Sequence, residues 1–268
     1  MRKILIGVAG SIVLGAAAPA LAADLPARVA TKAPIVVPSP VYNWSGFYVG
    51  LNAGGGSARS CWDLVNIQGT PVDPPETEGC HNATGGTVGG QIGYRWQATN
   101  WVFGLEAQGN WADFKGSNVD QASAGGFVSD RSKVDAFGLF TGQVGYSFNN
   151  VLLYAKGGAA VAGDKYSNFF TVANNFGGVP VSAGQTFSSA SVTRWGGTVG
   201  AGVEFGFAPH WSVAVEYDHL FMGSRDIQLN LVPAFGGGLA TISHIRQDVD
   251  IGTVRVNYGF GGPVVARY

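Results

Sequence analysis

From Phe47 onward, apolar residues recur at every second position, in segments paired by turns of two or three residues. A period of two puts one set of side chains on each face of an extended chain, so each segment reads as a β-strand with one apolar face. The first strand holds Phe47, Val49, Leu51 and Ala53 against Tyr48, Gly50, Asn52 and Gly54. A hairpin follows, in which Val88, Ile92, Tyr94 and Trp96 turn at Thr99 and Asn100 into Trp101, Phe103, Leu105 and Ala107. A second hairpin carries Phe140, Val144 and Tyr146 through Asn149 and Asn150 into Leu153, Ala155 and Val161. The third carries Val199, Val203, Phe205 and Phe207 through Ala208, Pro209 and His210 into Trp211, Val213, Val215 and Tyr217. Val254, Val256, Tyr258 and Phe260 form the last strand, which makes eight.

Long polar connections near residues 57–83, 113–132, 163–190 and 221–247 separate these units. Short turns at one end of a sheet and long loops at the other are the pattern of an outer-membrane barrel, whose chain enters and leaves on the periplasmic side. A soluble β-sandwich also alternates, but it offers no reason for long loops at one end only. Trp96, Trp101, Phe148, Phe207 and Trp211 cluster beside the tight turns, where amphipathic rings meet a membrane interface. The expected fold is all-β: an eight-stranded antiparallel transmembrane β-barrel with short periplasmic turns and long extracellular loops.

The N-terminus agrees with export. Met1-Arg2-Lys3 precedes an apolar run from Ile4 to Ala18 and the small-x-small site Ala20-Leu21-Ala22, the plan of a cleaved signal peptide. The expected organisation is a signal peptide over 1–22, a linker over 23–43 and a barrel domain over 44–268. Pro26, Pro34, Pro38 and Pro40 make the linker extended, because each ring fixes φ and removes a backbone donor. A net charge of −1 provides no field for a polyanion, so nucleic acid is not an expected partner. The 42 glycines with 12% aromatic and only 12% charged residues exclude an ordinary disordered chain, which is poor in aromatics and rich in charge. Cys61 and Cys80 are the only cysteines, and an oxidising compartment favours joining them.

The run Trp44 to Gly54 (WSGFYVGLNAG), the stretch Gly89 to Trp96 (GGQIGYRW) and the close Val254 to Phe260 (VRVNYGF) resemble the alphaproteobacterial outer-membrane β-barrel family, which takes in rhizobial and brucella porin-family surface immunogens. The resemblance covers nearly all of the chain after the leader. It implies a barrel akin to the transmembrane domain of outer-membrane protein A, placed in the outer membrane. It also implies recognition by the barrel-assembly machinery through the last strand, Val254, Val256, Tyr258 and Phe260. The chain runs on from Phe260 to Tyr268, so the assembly signal is read at one or the other.

The same alternation sends Arg95, Glu106, Gln143, Lys156, Glu204, Glu216 and Arg255 to the inward face. Buried charge is costly unless paired, so these side chains are expected to form a polar network. The turn at 149–150 sets Gln143 opposite Lys156, and Arg95 falls diagonally across from Glu106. Eight strands enclose an interior that side chains fill, which favours a polar core over an ion path. His81, His210, His219 and His244 lack metal-site spacing, and no metal or cofactor is expected.

The leading expectation is a structural, surface-exposed envelope protein without catalysis, monomeric, with outer-membrane lipid and lipopolysaccharide as partners. A narrow passive channel is the first alternative. A lipid-modifying enzyme built on His219 and Ser224 is the second.

Overall fold

The computed structural model describes residues 42–261. The expected leader and all of the linker except Tyr42 and Asn43 lie outside those residues, as does Tyr268. Eight long strands form the wall: β1 (Gly46–Ile67), β2 (Thr70–Ala98), β3 (Trp101–Val119), β4 (Val128–Phe148), β5 (Val151–Phe170), β8 (Thr186–Ala208), β9 (Trp211–Leu231) and β10 (Leu239–Gly259). A small hairpin of β6 (Asn174–Phe176) and β7 (Val179–Val181) lies in the connection between β5 and β8. The wall strands pair in the order β1-β10-β9-β8-β5-β4-β3-β2, and β2 returns to β1, so the barrel is closed and every pair is antiparallel.

The two faces of each strand differ as the period of two requires. Phe47, Leu51, Ile92, Leu105, Phe140, Val199, Val215 and Val254 point outward and are exposed, while Tyr48, Asn52, Gln91, Glu106, Thr141 and Glu216 point inward and are buried. Large apolar side chains exposed all round a closed wall make a surface for hydrocarbon rather than water. Its lower rim carries Trp96, Trp101, Phe148, Phe207, Trp211 and Phe260, and its upper rim Trp111, Trp195 and Phe221. From Trp101 to Trp111 a tilted strand rises roughly 25 Å, the height of an outer-membrane hydrocarbon band.

At the lower rim the turns are short: Thr99-Asn100, Asn149-Asn150 and Pro209-His210 each join two strands. Thr99, Asn149 and His210 adopt left-handed backbone, with φ of 59°, 57° and 69°. Asparagine takes that conformation readily, whereas β-branched Thr99 is strained there.

The upper connections differ from the expectation of long loops. The strands continue well past the apolar band, and most of 57–83, 113–132, 163–190 and 221–247 is paired sheet. Ser57 to Asp63 pair with Thr84 to Thr77, and Lys133 to Val128 pair with Lys165 to Phe170. Apart from bulged positions within the strands, unpaired chain among the described residues above the band is confined to Gln68-Gly69, residues 120–127, the segment 171–185 around the small hairpin, and residues 232–238. At the tip of β2, residues 72–75 bulge out of the ladder between Pro71 and Glu76. Cys61 and Cys80 are directly opposed on β1 and β2 and are joined by a disulfide.

Inside, apolar and polar layers alternate with height. Phe114, Leu139, Leu220 and Ile251 form a buried cluster above the polar network, and Trp62, Tyr166, Leu229 and Ile245 form a second near the outer end. Between them Arg194 donates to the Tyr166 hydroxyl and to the carbonyls of Gly223 and Ile245.

Two outcomes follow from this wall. On a gel, the unheated protein in detergent migrates faster than the boiled protein; one band position for both would contradict a closed barrel. The pair C61S and C80S keeps that shift and loses up to about 3 kcal/mol in urea unfolding, the size set by closing a loop of this length.

Candidate functional site

The lower third of the lumen holds the densest set of chemistry-bearing side chains. Arg95 is on β2, Glu106 on β3, Gln143 on β4, Lys156 on β5, Glu204 on β8, Glu216 on β9 and Arg255 on β10, and all seven are buried. Lys156 Nζ lies 2.6 Å from Glu216, 3.4 Å from Glu106 and 3.3 Å from Asp218. Arg255 forks between Glu106 and Glu216, one nitrogen to each carboxylate. Two cations therefore share the same two glutamates from opposite sides.

Arg95 pairs at 2.8 Å with Glu204, which stands halfway round the ring on β8. The diagonal placement of Arg95 relative to Glu106 holds in the register, but Glu106 is not its ion-pair partner. The register puts Arg95 beside Gly104, one step from Glu106, but the guanidinium reaches across the lumen. Gln143 does stand opposite Lys156, yet its amide has no hydrogen-bond partner among the described residues.

Several members of this network were not singled out in the sequence. Tyr48 donates to Glu106 and Tyr154 to Glu216, each at 2.6 Å. Asn257 donates to Glu204, Gln91 to Asn257, Asn52 to Gln91 and Asn110 to Asn52, at 2.9, 2.7, 2.7 and 2.6 Å. Trp44 closes the lower end, its ring N–H donating to Ser147 Oγ at 3.0 Å and its face packed by Tyr42. All of these except Trp44 and Tyr42 occupy inward positions of the alternation, which is the signal that finds them.

The network has an internal repeat. Tyr48 is in register with Gly93, and Gly93 with Glu106; Tyr154 is in register with Gly202, and Gly202 with Glu216. A Cβ on either glycine would lie 2.5 Å from the facing tyrosine ring, so the absent side chain is what lets each ring lie against the wall. Two positions beyond each glycine stand Arg95 and Glu204, the pair that spans the barrel. The repeat thus places opposite charges at equivalent points of its two halves.

At the level of the outer connections, Glu78, Asp120 and Asp130 form a separate buried acidic group. Burial, reinforced by the neighbouring carboxylates, pushes Glu78 up to about 9 and Asp130 up to about 8. His219 and Tyr217 both contact Asp250 on the outer surface, at 2.7 and 2.5 Å. Ser224 is in register with Arg246 beyond a bulge at Met222 and is not among the partners of His219.

A closed strand wall with a lipid-facing belt, two aromatic rims and an interior of paired charge defines an outer-membrane β-barrel protein. The chain matches the outer membrane protein beta-barrel domain family over residues 11–261, and it belongs to that family. It is 31% identical to the 31 kDa outer-membrane immunogenic protein of Brucella melitensis, across 97% of this chain and 100% of the relative. To the 22 kDa outer membrane protein of Rhizobium leguminosarum it is 29% identical, across 75% of this chain and 74% of the relative. The crystal structure of the outer membrane protease OmpT of Escherichia coli is similar at a TM-score of 0.49 and 10% identity, covering 80% of this chain and 97% of that one.

Removing the Lys156 charge leaves Glu106 and Glu216 sharing Arg255 alone. Lys156→Met is therefore expected to cost about 3–5 kcal/mol in denaturant unfolding, the usual effect of stranding a buried charge. Unchanged stability in that variant would count against a structural role for the network.

Proposed function

We propose that this outer-membrane protein is a structural surface component of the envelope, whose lumen is filled by an ion-paired core and which performs no catalysis. The observation that carries this reading is the bridging of the lumen by Arg95 and Glu204, with the Lys156, Arg255, Glu106 and Glu216 cluster beside it. An ion entering along the axis would have to displace one cation or carboxylate from partners in a low-dielectric interior, which is expensive. The buried layers around Phe114 and Trp62 add two apolar barriers above. These features favour a plugged scaffold over a passive channel.

The lipid-modifying reading has less support, because Ser224, the nucleophile it needs, is in register with Arg246 and is not a hydrogen-bond partner of His219 among the described residues. Lipopolysaccharide is the outer-leaflet partner favoured by the wall itself. Just above Trp111, Lys115, Lys133 and Lys165 stand side by side on β3, β4 and β5, with Asp113 and Asp135 among them. Such a row of ammonium groups just above the aromatic rim supports lipid phosphate as its partner. The last strand presents Val254, Val256 and Phe260 outward, with the Tyr258 ring packed between Trp211 and Phe260, an aromatic edge suited to the assembly machinery.

Planar-bilayer recording tests the plugged scaffold. The reading expects no steady conductance from the wild type, and openings in a variant carrying both R95A and E204A. Steady ohmic conductance in the wild type that K156M alters would establish the channel instead.

A further inference from the structure

Strands β2 and β4 and the connection after β3 bring Glu78, Asp130 and Asp120 together at the outer end of the barrel, with one carboxylate oxygen from each within 4.8 Å of the others. Their placement is built into the backbone. Trp62 is in register with Gly79, and Asp63 with Thr77, so Glu78 is the extra residue of a β-bulge on β2, a device that re-aims a side chain. The Glu78 carbonyl accepts from Gln121 N at 3.0 Å and from Asn118 Nδ2 at 2.9 Å, which ties β2 to the connection carrying Asp120. Asp120 N in turn donates to Val128 O at 3.0 Å, at the start of the strand that holds Asp130.

The supporting hydrogen bonds leave oxygens free. Ala122 N donates to Asp120 Oδ1 at 2.8 Å, and Asn168 Nδ2 to Asp130 Oδ1 at 2.6 Å. Glu78 Oε2 and Asp130 Oδ2 are buried and have no hydrogen-bond partner among the described residues. A residue outside the acidic group points the same way. Ser243 on β10 is 0% exposed, its hydroxyl faces Glu78, and its Oγ makes no hydrogen bond of ordinary geometry. Among the described residues the charges that act most strongly on the three acids are one another with Asp63 and Glu76, and no salt bridge joins them to a lysine or arginine. A structural ion-pair cluster contains its counter-charges, as the lower network does, whereas this one lacks them.

We propose that Glu78, Asp120 and Asp130 bind a divalent cation, Ca2+, with Ser243 Oγ beside it. Carboxylate and hydroxyl oxygens are the donors of a hard cation. Two oxygens on one Ca2+ at about 2.4 Å are at most about 4.8 Å apart, which is the span this cluster meets. The ion links β2, the connection after β3, and β4, so its binding holds the outer rim together. The absence of metal expected from the scattered histidines does not extend to this group, whose ligands come from two strands and a connection and share no sequence spacing.

The test uses the full chain refolded in detergent without lipopolysaccharide and stripped with EDTA. Equilibrium dialysis with calcium chloride is expected to give one Ca2+ per chain, and the temperature at which the heat-shifted gel band appears is expected to rise. E78Q and D130N are each expected to retain the gel shift and lose at least about tenfold in affinity. D113N, at an exposed acid, is expected to bind as the wild type does. The proposal is overturned if the wild type retains no more Ca2+ than protein-free micelles, a result that needs no variant to fold. It is equally overturned if E78Q and D130N bind normally, or if D113N loses as much as they do.

Discussion

Everything in this molecule depends on closing the backbone ladder. In hydrocarbon an unpaired N–H or C=O has no water to turn to, so a sheet can cross only if its first and last strands find each other. Here β1 meets β10 from Tyr48 with Gly259 to Ile67 with Thr241, and Phe260 N extends the seam by donating to Phe47 O. Closure removes both edges, and it also creates an inside. Once the outward positions are given to lipid, each inward position must be filled or hydrated, and the small radius of eight strands favours filling.

The lower lumen meets that demand with charge rather than with apolar bulk. Lys156 and Arg255 neutralise Glu106 and Glu216 in common, and the tyrosines that lie against Gly93 and Gly202 supply further donors. Apolar side chains inside as well as outside would give long stretches of chain that aggregate before reaching the membrane. Mixed charge keeps the strands alternating and soluble in transit, and the ion pairs form only when the wall has closed. The equivalence of the Tyr48, Gly93, Glu106 set to the Tyr154, Gly202, Glu216 set means that each half supplies what the other lacks.

The membrane half of the barrel was legible because lipid enforces contrast. Phe47, Val49 and Leu51 alternate with small or polar residues, and the turns at Asn149 and His210 follow at once. Above the band the contrast fades. On β1 the inward set is Ala58, Ser60, Trp62 and Leu64, and the outward set from Ser57 to Asp63 is polar or small, so both faces are mixed and the period disappears into what reads as loop. Pro71, Pro74 and Pro75 add residues that lack a backbone donor to the same stretch. Partners across the lumen were illegible for another reason: register predicts neighbours, whereas Arg95 finds Glu204 on the far wall. The acidic group of Glu78, Asp120 and Asp130 depends on a bulge, and a single extra residue leaves no periodic trace.

The strands that outrun the hydrocarbon change what the outside world meets. Most of the height above the apolar band is hydrogen-bonded wall, and chain outside the ladder is limited to the connections at its top. An antibody approaching such a rim finds patches assembled from neighbouring strands, such as the row from Lys115 through Lys133 to Lys165. Linear peptides copied from this region would lack the partner strands that shape those patches. A binder directed at this wall would therefore depend on the folded state, and changes at the few turn residues would alter the accessible contour while leaving the ladder beneath the same.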